Sequence, residues 1–342
     1  MTARWKHRPA GSNWGDFGPD DQCGRLNLLT PEKIIQGVVE VREGRAFCLS
    51  LPLDFPGGNY HGLDRWPPQL RAVWRNGRYA YNYRPNPDLT DVWCDESVLL
   101  HTQGSTQWDA LCHVGAAFDA NGDGEAEIVY YNGYRAGSDV PDPVVERGKP
   151  GPQTGVVGAR ALGIENMAAR CVQGRGVMID LYAAYGRQRK LVGYDDLMRI
   201  CDRDEVTVEV GDMVCLHTGL ADALLRLDRK PDSETLENSH AALDGGDARL
   251  LRWIDESGLA VLIADNFAVE AVPGGPDPRA TCAEPLHELC IFKLGIHLGE
   301  LWYLSELNAW LRERRRYRFL LTAPPLRLPG AVGSPTTPIA TA

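Results

Sequence analysis

Apolar runs and amphipathic stretches alternate along the second half of the chain. Near-continuous apolar runs at 176–181, 212–217 and 260–264 predict strands that are covered on both faces. Strands that alternate with helices are typical of an α/β fold. The stretches whose spacing predicts helices lie at 193–201, 247–257 and 299–313.

The first half of the chain predicts one further helix and one further strand. Thr30 is a suitable N-cap, Pro31 suits the first helical position and Glu32 lies in the first turn, which predicts a helix over 31–43. Residues 96–102 predict a buried strand. With no internal repeat and no linker, we expect one α/β domain over residues 1–342, built around a mixed β-sheet.

The segment 52–92 is rich in proline, glycine and aromatic residues. This composition predicts a long irregular segment without secondary structure of its own. Seven aromatic residues between Phe55 and Tyr83 argue against disorder. We therefore expect this segment to cover the functional pocket of its own subunit or of a neighbouring one.

Composition and charge exclude several classes of protein. The 342 residues are 44% hydrophobic, which is ordinary for a globular protein. Their net charge of −10 disfavours a sequence-independent nucleic-acid binder. The apolar runs are much shorter than the roughly 20 residues that span a bilayer, so we expect no membrane partner. Residues 1–10 lack the apolar core of a secretory signal, and nine cysteines without a CxxC pair indicate reduced thiols. These features predict a cytoplasmic protein.

The densest polar cluster of the sequence lies at 103–113, directly after the predicted strand at 96–102. Asp109 and His113 are four residues apart, and on a helical turn they would share one face. Such a pair suits a metal site or acid–base catalysis, and the alternative is a structural pair that caps a helix. A second cluster near the C-terminus contains Asp265, Glu270, His287, His297 and Glu300.

The stretch 119–125 matches the first half of an EF-hand loop, but position twelve is Tyr130 where a bidentate glutamate is required. We therefore predict an Asx-rich turn and no calcium.

The cluster at 103–113 resembles the signature H-x-G-T-H-x-D-x-x-x-H of the metal-dependent cyclase/formamidase superfamily, which includes bacterial kynurenine formamidases and isatin hydrolases. The resemblance implies a swivelling β/α/β architecture, hydrolase chemistry and a homodimer or homotetramer. It extends over nearly the whole chain. The further segments that follow the order of the family lie at 27–32, 174–180, 211–219, 264–270, 286–287, 298–301 and 323–335.

The sequence departs from the family motif at two positions. Gln103 and Gln107 stand where the family has metal-binding histidines. An amide oxygen is a poorer donor than imidazole for a borderline cation, which leaves weak metal binding or none as open alternatives. The ligand set that the resemblance implies is Asp109, His113, His287 and Glu300.

Two mechanisms follow from these alternatives. In the first, a divalent cation activates water for attack on a carbonyl, and an oxygen-rich ligand set with Gln107 as a weak ligand would favour Mn²⁺ or Mg²⁺ over Zn²⁺. In the second, His113 oriented by Asp109 is the general base, while Gln103 and Gln107 donate hydrogen bonds to the carbonyl oxygen. The catalytic residues predicted from both are His113, Asp109, Gln107 and Glu300.

The expected substrate is a small molecule. Aromatic residues around the motif predict an aromatic-lined pocket, and hydrolysis of a C–N or C–O bond in a cyclic or acylated aromatic compound is the leading hypothesis. The alternatives are a metal-independent cyclase, dehydratase or isomerase, and a non-catalytic paralogue. The residues predicted to bind substrate are Gln103, Trp108, Trp66 and Trp74.

Overall fold

The computed structural model describes residues 3–60, 63–145, 155–271 and 282–342. The strands of these residues are β1 (Ala46–Cys48), β2 (Gln69–Ala72), β3 (Trp74–Arg75), β4 (Arg78–Tyr79), β5 (Glu96–Leu99), β6 (Gln107–Asp109), β7 (Ala116–Phe118), β8 (Glu127–Val129), β9 (Val144–Val145), β10 (Gly155–Val156), β11 (Gln173–Asp180), β12 (Lys190–Val192), β13 (Met213–His217), β14 (Ala241–Leu243), β15 (Val261–Ala264), β16 (His297–Glu300), β17 (Arg318–Thr322), β18 (Gly333–Pro335) and β19 (Ile339–Thr341).

The helices surround a large central sheet. Short 3₁₀ turns lie at Gly24–Leu28 and Tyr131–Gly133, and a π-helical turn at Glu288–Lys293. The α-helices of the described residues are α1 (Pro31–Val39), α2 (Ile164–Ala169), α3 (Tyr182–Tyr185), α4 (Tyr194–Arg203), α5 (Leu220–Arg226), α6 (Ser233–Asn238), α7 (Ala248–Glu256), α8 (Pro285–His287) and α9 (Ser305–Glu313).

The central sheet is mixed, with the strand order β1-β19-β17-β11-β13-β15-β16-β6-β18. Its middle strands β11, β13, β15 and β16 are parallel, and the strands on both sides of them pair antiparallel. The fold is thus a single α/β domain around a mixed sheet, as predicted. The carboxyl ends of the four parallel strands lie along one edge, where sites in α/β proteins form.

Several predicted elements are confirmed with small shifts in their bounds. All five residues of β13 are buried, in keeping with its continuous apolar run. Thr30 is the N-cap of α1 and accepts a hydrogen bond from the backbone N–H of Lys33, but the helix ends at Val39. Asp247 caps α7 and also accepts a hydrogen bond of 2.7 Å from the backbone N–H of Tyr194, so one carboxylate joins the starts of α7 and α4.

The predicted helix at 299–313 is wrong at its beginning. Residues His297–Glu300 form the buried strand β16, and α9 starts only at Ser305. The reason is tertiary, because β16 hydrogen-bonds to β15 on one side and to β6 on the other. Glu300 therefore lies at the end of a strand, next to the residues of the 103–113 cluster.

The prediction for 96–102 is only half right. Glu96–Leu99 is a strand, but all four of its residues are exposed because β5 pairs with β2 outside the central sheet. We call residues 69–99 the arm. The arm contains the pairs β2–β5 and β3–β4, so the expectation of an irregular segment at 52–92 is also wrong.

The two ends of the segment 52–92 behave differently. Phe55 and Tyr60 are buried in a second apolar cluster with α5. Trp66 and Trp74 are 47% and 61% exposed. The side chains of the arm are thus largely exposed among the described residues, whereas Arg65 of the same segment donates a hydrogen bond to the carbonyl of Gln103. That the segment covers a pocket stays a prediction.

Two further predictions concern single segments. At 119–125 the carboxylate of Asp119 accepts hydrogen bonds from the backbone N–H groups of Gly122, Asp123 and Gly124, which is the predicted Asx-rich turn. Among the described residues, no helix is long and apolar enough to cross a membrane.

Candidate active site

Strands β6 and β16 bring three polar side chains to one face of the sheet. Glu300 lies directly opposite Gln107 in the antiparallel register, so both side chains point to the same face. Asp109 is two residues further along β6 and points the same way, because side chains alternate along a strand. The amide nitrogen of Gln107 donates a hydrogen bond of 3.1 Å to Oε2 of Glu300.

His287 enters this cluster from a helical segment. It is the last residue of α8 and is followed directly by the π-helical turn. Its Nδ1 lies 2.8 Å from Oε1 of Glu270, which also accepts the backbone N–H of His287 at 2.9 Å. Its Nε2 lies 3.3 Å from Oε1 of Glu300. Glu270 therefore fixes the orientation of the imidazole, and Nε2 points to the carboxylates.

Asp109, His287 and Glu300 offer a nitrogen and two carboxylate oxygens that lie within 4.8 Å of one another. All three residues are buried. Both carboxylate oxygens of Asp109 and the amide oxygen of Gln107 are buried without a hydrogen-bond partner among the described residues. Buried acceptors of this kind are costly unless a cation or a donor satisfies them. The donor set therefore fits a divalent cation with mixed oxygen and nitrogen ligands.

The pKa values of Asp109, His287 and Glu300 reflect the shortage of positive charge in this buried cluster. Burial and the charge of Glu300 raise the pKa of Asp109 well above its usual range. Burial alone would lower the pKa of His287, but hydrogen bonds to Glu270 and Glu300 outweigh it and raise the pKa well above the usual value. Burial acts to raise the pKa of Glu300, but the hydrogen bond from His287 and its charge outweigh burial, so the pKa is lowered. A divalent cation would act against both effects, because it stabilises the carboxylate form of Asp109.

His113 lies beside the cluster, in the turn after β6. Its Nε2 is 3.8 Å from Oδ1 of Asp109, and its side chain is 24% exposed. Because Asp109 ends a strand, the predicted helical relationship between the two residues is wrong, although they are neighbours in space. Burial lowers the pKa of His113 to about 4, so its imidazole is neutral at pH 7. His113 is not part of the three-residue set that could hold a cation, and its position suits proton transfer.

The residues predicted to bind substrate lie in different surroundings. The side-chain oxygen of Gln103 accepts a hydrogen bond of 2.8 Å from Thr102, and its amide nitrogen is buried with no partner in the described part of the chain. Trp74 packs edge-to-face on Tyr79 within the arm. The rings of Trp66 and Trp74 are largely exposed, so substrate binding by these two residues stays a prediction.

Trp108 is a correction, because it points to the opposite face of β6 from Gln107 and Asp109. It is fully buried, packs edge-to-face on Trp302 and donates its indole N–H to the carbonyl of Ala323. Trp108 therefore belongs to the core and does not bind substrate.

Two further residues lie beside the cluster: Glu270, which the sequence placed in the second polar cluster without a role, and Arg65, which sequence reasoning missed. Glu270 orients His287, and a carboxylate soon after a buried strand was the available signal. Arg65 lies close enough for its positive charge to lower the pKa values of Asp109, His113 and Glu300, although burial has the larger effect on each. No sequence signal pointed to Arg65, because it lies in a segment without regular structure.

Known proteins share this arrangement of strands and helices. A crystal structure described as a novel cyclase has 29% sequence identity and a TM-score of 0.75, over 97% of each chain. Isatin hydrolase A from Ralstonia solanacearum has 16% identity and a TM-score of 0.54, over 86% of this chain and 91% of its own. Isatin hydrolase A from Labrenzia aggregata, bound to benzyl benzoate, has 14% identity and a TM-score of 0.54, over 91% and 99%. The two isatin hydrolases show a shared fold.

No curated protein sequence matches the chain. The sequence profile of the family described as "Putative cyclase" matches residues 49–271, which include β6, Asp109 and Glu270. The match covers more than half of the chain, which therefore belongs to this cyclase family.

Proposed function

We propose that the protein is a hydrolase that opens a C–N bond of an amide or lactam, or a C–O bond of a lactone, in a small aromatic or cyclic compound. The observation that carries this proposal is the buried set of Asp109, His287 and Glu300, in which both oxygens of Asp109 have no hydrogen-bond partner among the described residues. The family and the isatin hydrolase fold support the reaction class.

Asp109, His287 and Glu300 would hold a divalent cation, and the partnerless amide oxygen of Gln107 would add a weaker ligand. With three oxygen donors and one nitrogen, this set favours Mn²⁺ or Mg²⁺ over Zn²⁺. A bound divalent cation polarises a carbonyl and lowers the pKa of water. The amide nitrogen of Gln107 donates a hydrogen bond to Glu300 and helps to hold this carboxylate in place.

The remaining residues bind the substrate and move protons. His113 is neutral at pH 7 and partly exposed, so its imidazole can accept a proton from water and return it to the leaving group. The buried amide nitrogen of Gln103 is a free donor for a carbonyl oxygen. Arg65 binds the backbone carbonyl of Gln103 at 3.2 Å and offers positive charge for a substrate or product carboxylate.

A second candidate function needs no metal. The neutral imidazole of His113 beside Asp109 could by itself move a proton, as in a cyclase, dehydratase or isomerase. In this alternative Asp109 positions the imidazole and Gln103 polarises the carbonyl. Metal dependence separates the two mechanisms.

The test is a hydrolysis assay with isatin, an aromatic lactone and an N-formyl aromatic amine. Chelated protein is compared with protein reloaded with Mn²⁺, Mg²⁺ or Zn²⁺. We expect ring opening or deformylation that requires a metal and is lost in Asp109→Asn. The control Asp123→Asn, in the exposed Asx-rich turn, should keep activity. Full activity after chelation would favour the metal-independent mechanism, and inactivity of every reloaded form would contradict hydrolysis of these substrate classes.

A further inference from the structure

A second catalytic constellation lies at the carboxyl ends of β11 and β13. His217, the last residue of β13, places its Nδ1 3.0 Å from Oδ1 of Asp180, the last residue of β11. The Nε2 of the same imidazole lies 3.1 Å from Oγ of Ser305, the first residue of α9. The three side chains thus form one continuous chain of hydrogen bonds from hydroxyl to imidazole to carboxylate.

Asp180 is held in a fixed orientation. Its Oδ2 accepts hydrogen bonds from Asn308 at 2.9 Å and from Arg312 at 2.8 Å. Its Oδ1 also accepts the backbone N–H of Ala183 at 3.0 Å. The Nδ1 of His217 also lies 3.0 Å from the amide nitrogen of Asn308. In the tautomer with its proton on Nδ1, directed to Asp180, His217 leaves Nε2 as the acceptor for the serine hydroxyl.

The position of Ser305 suits a nucleophile. It is the first residue of the nine-residue helix α9, and Leu304 at the N-cap makes no side-chain capping bond. The first N–H groups of a helix have no acceptor within the helix, so those beside Ser305 could donate to an oxyanion. Ser305 is partly exposed, and the neighbouring Tyr182 ring, which contacts His217 edge-to-face, is 37% exposed. A small acyl compound could therefore reach the hydroxyl from the surface.

We propose that Ser305, His217 and Asp180 form a second catalytic site, which hydrolyses small activated esters through an acyl-serine. Oγ of Ser305 attacks the ester carbonyl carbon while Nε2 of His217 takes the hydroxyl proton. The bond from carbon to the leaving alcohol breaks, and His217 returns the proton to that alcohol. Water, deprotonated by the same imidazole, then releases the carboxylic acid and restores Ser305. Asp180 is a positioning residue, since it acts through His217.

This proposal does not rest on the metal-dependent hydrolase. The two sites share no residue, because the cation set consists of Asp109, His287 and Glu300. A chelator separates them in one protein preparation, since acylation of Ser305 requires no metal. Each proposal can thus fail while the other holds.

The first test is labelling of the intact protein with a fluorophosphonate probe and with p-nitrophenyl acetate, after chelation. Peptide mass spectrometry locates the modified residue. We expect labelling at Ser305 and its loss in Ser305→Ala, a change that removes a single oxygen. The control is Ser138→Ala, because Ser138 donates to a carboxylate but has no histidine beside it in the described contacts. Absence of labelling at Ser305 in the folded parent would overturn the proposal.

The second test separates a positioning role of Asp180 from a purely structural one. Among the described residues, the charged or titratable groups that face His217 are Asp180, Asp265, Asp222, His240 and Tyr182. Burial acts to lower the pKa of His217, but the hydrogen bond to Asp180 and the nearby carboxylates raise it. The labelling rate should increase with pH as His217 loses its proton.

In Asp180→Asn, the midpoint of this increase should move to lower pH and the plateau rate should fall about 100-fold. His217→Gln should lower the rate by at least that factor. Thermal melting verifies that each variant is folded. An unchanged midpoint and plateau in folded Asp180→Asn would contradict the triad. If Asp180→Asn does not fold, the loss of labelling in Ser305→Ala tests the triad instead.

Discussion

Oε1 of Glu270 accepts both the ring N–H and the backbone N–H of His287, at 2.8 and 2.9 Å. One oxygen therefore sets both the tautomer of the imidazole and the position of its main chain. A proton therefore lies on Nδ1, and Nε2 is the atom that faces Glu300.

We predict that Glu270→Gln lowers the affinity for Mn²⁺ and Zn²⁺ about 10- to 100-fold. A neutral amide orients the imidazole less well than a carboxylate and makes its Nε2 a less basic metal ligand. Calorimetric titration of chelated protein measures the effect. The matched control is Glu288→Gln, since Glu288 is in the same helical segment but pairs with Lys293 near the surface. Equal losses in both variants would mean that the segment, and not the hydrogen bond to His287, determines affinity.

Gln107→His should increase metal affinity. The amide oxygen of Gln107 is buried without a partner in the described residues, at a position directly opposite Glu300. An imidazole nitrogen is a better ligand than an amide oxygen, so we expect roughly tenfold tighter binding of Zn²⁺ or Mn²⁺, or about 1.4 kcal/mol. Native activity should fall, because the hydrogen bond from the amide nitrogen to Glu300 is lost.

Gln103→His combined with Gln107→His should strengthen metal binding further, as measured by the same titration. Equal affinities in the parent and in both variants would show that Gln107 is not at a ligand position. Tight stoichiometric binding by the parent would instead show that the amide suffices as a ligand.

The pair of Asp180 and His217 predicts how stability depends on pH. Burial acts to raise the pKa of Asp180, but the hydrogen bond to His217 and its charge lower it from 3.8 to about 2. The stabilisation, about 2 kcal/mol, is therefore present above pH 4 and is lost as the pH falls through 2. The raised pKa of His217 acts in the other direction, so its contribution is present below pH 6.5 and is lost as the pH rises through the folded-state pKa.

Urea unfolding between pH 2 and pH 8 should thus show the largest destabilisation by Asp180→Asn between about pH 4 and pH 6.5. The exposed Asp91→Asn is the control and should have no such profile. A destabilisation by Asp180→Asn that is constant over the whole pH range would rule out the ion pair as its cause.

The arm predicts self-association. Leu70, Trp74, Tyr79 and Val98 are each more than half exposed, and a two-stranded pair without cover is marginally stable in water. We expect a second copy of the chain to cover these side chains in a homodimer or homotetramer. Analytical ultracentrifugation should show assembly of the parent and dissociation of Trp74→Arg.

Leu191→Arg is the matched control, because Leu191 is 48% exposed but lies on β12, far from the arm in the sequence. Its assembly should be unchanged. A monomeric parent at micromolar concentration would contradict the prediction.

Gly299→Ala should destabilise the protein by about 1–3 kcal/mol through overpacking. A Cβ at Gly299 would lie 2.9 Å from the indole nitrogen of Trp302 and 3.1 Å from side-chain atoms of Ile263 and Trp108. Gly158→Ala is the control, since a Cβ there meets no atom within 4 Å. Chemical denaturation of both variants measures the difference in the free energy of unfolding. Equal values would show that the side chains around β16 can move to accommodate the added methyl group.

The parts of the fold that follow from local pattern could be predicted. Continuous apolar runs identified β11, β13 and β15, and the N-cap at Thr30 located the start of α1. The beginning of the region 299–313 could not be assigned to a strand or a helix from sequence. Over only four positions, a short buried strand and a buried helix have the same apolar composition. The pairing of β16 with β15 on one side and with β6 on the other decided the outcome.

The site was predictable by residue type but not by geometry. The motif identified Asp109 and Gln107, yet the role of Trp108 depended on strand alternation that a helical interpretation does not give. Glu270 is 17 residues from His287 in sequence, and only the fold shows that its carboxylate reaches the imidazole. For the same reason, spacing alone could not connect Ser305 with His217, which are 88 residues apart.

The order of the strands in the central sheet has a consequence for synthesis on the ribosome. Strand β6 carries Gln107 and Asp109, but both of its neighbours, β16 and β18, come from the region after residue 296. At roughly 5–20 residues per second, β6 waits on the order of 10–40 s for these partners. During that time the parallel strands β11, β13 and β15 can already pair, while the edge that later holds Asp109 stays open. Nascent chains are therefore most exposed to aggregation through β6, and the candidate active site is among the last parts of the protein to form.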